Sequence, residues 1–399
     1  MRIEIPREVE RFGAIRFGEL QKVYELDSGL TENPSYEQGT NIHQIPYEAL
    51  NRIENDMAIV VPVRDERLKL VEGVLCGIPH QCLIIIISNS PLMPVDRFRM
   101  EKEALENFCM FVNKNALIAH QKDPLLAKAF KKVNYTSILN QKGEIRDGKA
   151  EGMIIATLLA KLAGKRYIGF VDADNYFPGS VLEYVQEYAA GFSMSKSRYA
   201  MVRIAWHSKP KIAKSKIFFR KWGRTSANTN RLLNNLLSHY YGFETELLKT
   251  GNAGEHAMTM DLAMCLDYSS GYSIEPYHII NLIEKFGGIK KSPFPEVMKE
   301  GVEVHQIESR NPHLHETGDT EHINDMSYVA MQVIYHSRIC PEEVKRSLMK
   351  EMVLRKFLTR GEKPPQPNWF PTLSSIDLGA FLEEIKSTPY GRLITEGKL

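Results

Sequence analysis

Tyr167-Ile-Gly-Phe-Val-Asp-Ala-Asp-Asn-Tyr176 is the stretch on which the reading of this chain turns. Tyr167 to Val171 is apolar or small throughout and reads as a short buried strand. Asp172 and Asp174 follow at once, on either side of Ala173. A carboxylate there is costly unless it meets a cation or several donors. Two so close repel each other, and a divalent cation relieves the repulsion. Mg²⁺ or Mn²⁺ takes oxygen ligands and shares them with phosphate oxygens. Taken alone, Asp-x-Asp equally suits a turn or a helix cap. Its address in the chain separates the readings.

Working outward, Met57-Ala-Ile-Val-Val-Pro62 and Cys82-Leu-Ile-Ile-Ile-Ile-Ser88 read as buried strands, and Ala116 to His120 as a third. Helical spacing marks 66–76, 97–113 and 148–163 between them. This alternation predicts an α/β fold, a mostly parallel sheet with helices on both faces. Ligands of such sheets lie beyond the carboxyl ends of the strands. Those ends are polar in all four cases: 62–66, 88–90, 120–123 and 172–174. Farther on, the pattern predicts helices over 181–192, 225–237 (capped by Thr225 or Ser226), 325–334 and 378–385. It also predicts strands over 199–206 and 301–307, the second half-exposed, and a linker over 361–370. The implied organisation is an N-terminal segment 1–54 packed on a catalytic domain 55–340, then a C-terminal extension 341–399. The domain divides at about residue 200 into a nucleotide-sugar half, 55–200, and an acceptor half, 201–340.

The 399 residues carry 51 Lys+Arg against 49 Asp+Glu, a net charge of +2. That balance gives no reason to expect nucleic acid or an anionic membrane as partner. Five scattered cysteines without a CxxC pair suit reduced thiols in a cytoplasmic enzyme. The longest apolar run, 83–87, is too short to span a bilayer.

Other stretches carry chemistry. In Arg146-Asp-Gly-Lys149, Gly148 lets backbone approach a ligand, and Lys149 adds charge at a helix N-terminus that favours anions. A plain turn fits the same residues. Lys221-Trp-Gly-Arg-Thr-Ser226 leads into a helix, where Arg224 suits a bidentate carboxylate or phosphate. Gly251-Asn-Ala-Gly-Glu-His256 reads as a Gly-rich turn into a helix with Glu255 in its first turn, and Glu275 sits in a turn before Pro276. His313 and His315 are two apart and project alike in an extended segment. A hydrolytic zinc site from His313, His315, Glu316, Glu321 and His322 lacks the HExxH spacing.

Six strings in order, 61–66, 120–124, 148–152, 170–176, 251–256 and 311–315, resemble the mannosyl-3-phosphoglycerate synthase family from about residue 4 to 336. The resemblance implies a GT-A glycosyltransferase fold. It implies a soluble cytoplasmic homodimer moving mannose, with retention, from GDP-mannose to D-3-phosphoglycerate, with Mg²⁺ or Mn²⁺. The product is the precursor of mannosylglycerate, a compatible solute. By the same resemblance Pro62, Arg64, Glu66, Ser88, Gln121 and Lys149 match nucleotide contacts, with Asp172 near the ribose. Asp174 matches a metal ligand, and His315 the ligating histidine, with His313 as fallback. Gly223, Arg224 and Ser226 match the acceptor turn. Asn252, Ala253 and Gly254 match the loop at the reacting centre, with Glu255 beside it, and Glu275 matches the glutamate on the donor sugar. The implied catalytic set is Asp174, Asn252, Glu255 and Glu275. Three rivals are a glucosyl-3-phosphoglycerate synthase-like transferase, a haloacid-dehalogenase-type sugar phosphatase using Asp172, and a nucleotide-sugar sensor without turnover.

Overall fold

A computed structural model describes residues 1–26, 41–213, 216–220, 224–314 and 320–386. The first strands are β1 (Arg2–Glu4), β2 (Val9–Phe12), β3 (Ile15–Glu25), β4 (Ile42–Gln44), β5 (Met57–Val63), β6 (Leu83–Ser88), β7 (Ala116–His120) and β8 (Tyr167–Phe170). After them come β9 (Ala200–Ala205), β10 (Lys209–Ala213), β11 (Lys216–Arg220), β12 (His256–Thr259), β13 (Tyr268–Ser269), β14 (Val302–Glu308) and β15 (Trp369–Phe370). The helices begin with α1 (Tyr47–Asn55), α2 (Leu68–Gly77), α3 (Arg97–Phe111), α4 (Pro124–Lys132), α5 (Lys149–Leu162) and α6 (Pro178–Met194). They continue with α7 (Arg224–Tyr241), α8 (Met260–Cys265), α9 (Ile274–Phe286), α10 (Pro295–Glu300), α11 (Thr320–His336), α12 (Glu342–Leu354) and α13 (Leu378–Lys386).

Among the described residues one large sheet runs in the order β4-β1-β3-β14-β9-β12-β8-β5-β6-β7, with β2 on β3. Strands β3, β14, β9, β8, β5, β6 and β7 all point the same way. Only β12 runs against them in the middle, between β9 and β8. Both faces are covered. In β5, Ala58 and Val60 join one core while Met57, Ile59, Val61 and Val63 join the other. In β6, Ile85 and Ile87 face the first core, Ile84 and Ile86 the second. Uninterrupted apolar runs are what a strand buried on two faces requires. The architecture is therefore the α/β, mostly parallel sheet with helices on both faces that the alternation predicts.

The parallel strands place their carboxyl ends at one edge. Because β12 is reversed, its start, Glu255-His256, reaches that same edge. The edge thus gathers the ends of β5, β6, β7, β8, β9 and β14 with the beginning of β12.

Several sequence expectations change. The 251–256 turn leads into strand β12, not a helix; the chain must cross back between β8 and β9, and helix α8 begins only after Thr259 caps Leu262. Glu275 is in the first turn of α9, where Pro276 is tolerated because its missing N–H has no intrahelical acceptor. Helix α7 starts at Arg224, so Thr225 and Ser226 lie inside its first turn rather than capping it. Strand β14 is buried, not half-exposed, since it is inserted between β3 and β9; its polar Gln306 is satisfied by Gly18 and Leu247 carbonyls. The N-terminal segment supplies β1–β4 to the sheet itself. The C-terminal extension docks through Phe381 on Phe130, ring centroids 5.1 Å apart, and through β15 paired to β13.

Candidate functional site

Lys149 is the centre of the site. Gly148 precedes it at φ 151°, a conformation that excludes most side chains, and a Cβ there would collide with Glu151. Lys149 opens α5 and sends Nζ to two carboxylates, Asp172 Oδ1 at 2.6 Å and Glu275 Oε1 at 2.8 Å. The ammonium is 11 % exposed and Glu275 only 5 %. Burial opposes the lysine charge, but the two carboxylates outweigh it and hold its pKa well above the ordinary value. Among the described residues, Glu275 Oε2 is buried with no hydrogen-bond partner. Gly254 closes over this group: a Cβ on it would lie 2.5 Å from Asp172 Oδ2. Lys149, Asp172, Glu275 and Gly254 thus meet from four separate parts of the chain.

Beneath them lies a second carboxylate. Glu255 has no exposure, and both its oxygens accept, from Asn175 Nδ2 at 3.1 Å and Trp206 Nε1 at 2.9 Å. Burial, then the charge of Asp172, pushes it up to about 7, against the pull of Asn175. Asn175 also donates to the Asp172 carbonyl at 3.1 Å, which ties the aspartate turn to Glu255. His313 stacks on Trp206 with centroids 4.1 Å apart and makes a 3.2 Å hydrogen bond with Tyr184 through Nδ1. Its segment is fastened to α6: Glu183 accepts from Asn311 N at 2.8 Å and Nδ2 at 2.7 Å, and Ser180 donates to the Pro312 carbonyl at 3.1 Å.

At the carboxyl end of β5, Pro62 is half-buried, Arg64 exposed and Glu66 half-buried. Glu66 accepts from the Arg64 amide, and burial pushes its pKa up to about 7, with the charge of Asp174 adding to the rise. Ser88 is 1 % exposed and donates to Glu101 at 2.8 Å, so it braces the strand end from behind. Gln121 is likewise buried and gives its amide to the carbonyls of Arg146 and Gly148, at 2.7 and 3.1 Å, shaping the turn that presents Lys149.

Asp174 is half-buried at the end of the triplet, one residue before Asn175. His315, Gly223 and the side chain of Arg224 lie outside the described residues. Ser226, half-buried, is one turn ahead of Asn230, which accepts from Gly251 N at 2.7 Å. The start of α7 therefore adjoins the 250–254 loop, and Asn252 and Ala253 are buried there. Among the described residues no three His, Cys, Asp or Glu side chains converge as a complete metal cluster.

Sequence reasoning gave no role to Asn175, Trp206, Arg203 or Glu151. Asn175 stands inside the quoted 170–176 string, so its position was a usable signal. Trp206 at a strand end was another. The Arg203 contacts and the Glu151 bond to Ser270 join residues far apart in the chain and leave no local trace.

A mostly parallel sheet with one reversed central strand, and an aspartate triplet paired to a lysine beyond the strand ends, fit the class of GT-A-type glycosyltransferases. The chain belongs to the mannosyl-3-phosphoglycerate synthase family, whose profile matches residues 5–385. It is 45 % identical to the mannosyl-3-phosphoglycerate synthase of Pyrococcus furiosus over 388 residues, covering 97 % of this chain and 98 % of that one. The synthase of Aeropyrum pernix is 36 % identical over 371 residues, 93 % of each. Among solved structures, glucosyl-3-phosphoglycerate synthase of Mycobacterium tuberculosis with phosphoglyceric acid aligns at TM-score 0.48 and 13 % identity, over 83 % of this chain and 96 % of that one. Among the described residues no helix is long and apolar enough to cross a membrane.

Proposed function

We propose that the protein transfers mannose from GDP-mannose to the 2-hydroxyl of D-3-phosphoglycerate with retention, forming mannosyl-3-phosphoglycerate for mannosylglycerate synthesis. The observation that carries this reading is the Lys149 bridge between Asp172 and Glu275, with Glu275 Oε2 left as a buried acceptor. A buried acceptor of this kind suits a sugar hydroxyl. Family membership supplies the substrates.

The donor set fits a hard divalent cation, Mg²⁺ or Mn²⁺. Asp172 and Asp174 offer oxygens directly after β8, and nucleotide phosphates supply others. Asp174 is the better ligand, because Asp172 already holds Lys149. His315 is the assigned histidine; His313 packs between Trp206 and Tyr184. When bound, the ion neutralises charge on the departing diphosphate.

The remaining chemistry falls to the chain. Pro62, Arg64 and Glu66 face guanosine, while Ser88 and Gln121 set the backbone that presents it. Lys149 pairs with Asp172 and Glu275 and orients both, and Glu275 holds the mannose hydroxyls. Gly223, Arg224 and Ser226 hold the acceptor, and Asn252, Ala253 and Gly254 close on the reacting centre, so that the 2-hydroxyl approaches the anomeric carbon. A double displacement needs a carboxylate free to attack. Glu255 has both oxygens engaged, and Glu275, one oxygen on Lys149, gives the other to the mannose hydroxyls in this reading. That supports attack from the leaving-group face, with the acceptor proton passing to the departing diphosphate.

The protein acts as a soluble cytoplasmic homodimer in this reading. The phosphatase and sensor rivals have no support from a family match spanning residues 5–385. A panel of nucleotide sugars offered with 3-phosphoglycerate, with the anomeric configuration of the product read by NMR, tests the proposal. Preference for GDP-mannose and retention are expected. Inversion, or preference for a glucosyl donor, overturns it.

A further inference from the structure

Three buried polar side chains stand side by side on three adjacent strands. Gln306 on β14 is the register partner of Arg203 on β9, and Arg203 is the partner of His256 on β12. Each is fully buried. Each holds the same loop. Gln306 Oε1 accepts from Lys249 N at 2.9 Å and Thr250 Oγ1 at 2.8 Å. Arg203 donates to the carbonyls of Thr250 at 2.9 Å and Gly251 at 3.3 Å. His256 Nδ1 lies 3.0 Å from the carbonyls of both Ala253 and Gly254. Since both neighbours are acceptors, Nδ1 carries the proton. Burial, then the neighbouring His278 and Arg203, hold His256 well below its ordinary pKa, so the ring is neutral.

The carbonyls of 250, 251, 253 and 254 are therefore drawn down into the sheet. Arg203 also donates to the Glu275 carbonyl at 3.0 Å. Its guanidinium thus joins the start of α9, which carries Glu275, to the loop that carries Asn252 and Gly254. A guanidinium with no exposure, held by three carbonyls and the Met201 sulfur, is costly to keep. Burial lowers its pKa to about 10, which still leaves it charged at neutral pH. Its planar fork reaches several carbonyls at once, which neither an apolar side chain nor a lysine can do.

We infer that Arg203 is a positioning residue that sets the 250–254 loop and Glu275 in register on a seat completed by Gln306 and His256. It touches no substrate in this account, and the inference rests on the proposed transferase reading of the same site. Arg203→Met removes the fork while filling similar volume, and leaves the Thr250, Gly251 and Glu275 carbonyls without that donor. The full-length variant is expected to melt below the wild-type temperature yet bind GDP unchanged, with kcat lower by about 100-fold through misplacement of the loop and Glu275. Hydrogen exchange is expected to rise at 249–254 and 274–276 and nowhere else. Wild-type kcat and wild-type exchange in the variant overturn the inference, and so does a parallel loss of melting temperature and GDP binding. If Arg203→Met does not fold, Arg203→Lys decides: a reduced kcat with unchanged GDP binding supports positioning, and wild-type kcat overturns it. Absence of turnover in the wild type sinks the transferase reading instead, while the exchange pattern still decides the role of Arg203.

Discussion

Lys149 Nζ lies 2.6 Å from Asp172 Oδ1, which makes the triplet's first aspartate half of an ion pair rather than a bare metal ligand. The same ammonium holds Glu275, so one cation serves the aspartate turn and the glutamate of α9 together.

Lys149→Met removes that cation and leaves two carboxylates facing each other in a largely buried place. Breaking such a cluster costs on the order of 3 kcal/mol, with the Asp172 share reduced by its partial exposure. A chemical denaturation curve should show the loss, and mannosyl transfer should fall to background. Full stability with retained turnover contradicts the assigned role.

Gly254→Ala places a methyl group 2.5 Å from Asp172 Oδ2. Either the aspartate or the loop must give way. Turnover is expected to drop by about 100-fold, the scale of a small misplacement at a reacting centre, with little change in melting temperature. An alanine variant with wild-type kcat shows that the loop does not close on Asp172 during the reaction.

Trp206→Phe deletes the donor to Glu255 Oε2 and leaves a buried acceptor unpaired, costing about 1–3 kcal/mol. The variant should also loosen His313, which stacks on the indole. Urea midpoints of wild type and variant measure the first effect. Coincident midpoints contradict it.

Glu187 supplies a pH test away from the site. It is fully buried beside Glu183, and burial, then the Glu183 charge, raises its pKa well above the ordinary 4.5. The sign follows from linkage: a carboxyl raised in the folded state favours folding below its unfolded pKa, and that contribution is lost as pH climbs above about 4.5. Glu187→Gln abolishes this loss. The variant should gain stability relative to wild type between pH 4.5 and 8, measured as the difference in unfolding free energy. A pH-independent difference contradicts the assignment.

What the sequence disclosed depended on how local the signal was. The apolar runs 57–62, 82–88, 116–120 and 167–171 marked parallel strands, because a strand buried on both faces must be apolar on both. The Asp172–Asp174 address followed from them. Strand β12 was hidden: four residues, His256–Thr259, are too few for any period, and their strand state comes from pairing with β8 and β9. For the same reason Glu255 was expected on a helix. Lys149 and Asp172 were each singled out, but as separate nucleotide contacts. Their ion pair spans 23 residues and the Glu275 arm 126, and no spacing rule reaches that far. Ser88 and Gln121 are expected at the nucleotide, and what spacing could not show is that their donors hold Glu101 and the Arg146 and Gly148 carbonyls.

The central claim is that the edge holding Lys149, Asp172 and Glu275 transfers mannose to a phosphorylated acceptor. Its most direct test is GDP release from GDP-mannose with Mg²⁺ or Mn²⁺, followed with and without D-3-phosphoglycerate. The account predicts acceptor-dependent GDP release matched one for one by mannosyl-3-phosphoglycerate, and none in Lys149→Met. GDP release that ignores the acceptor, or turnover that survives Lys149→Met, would contradict it.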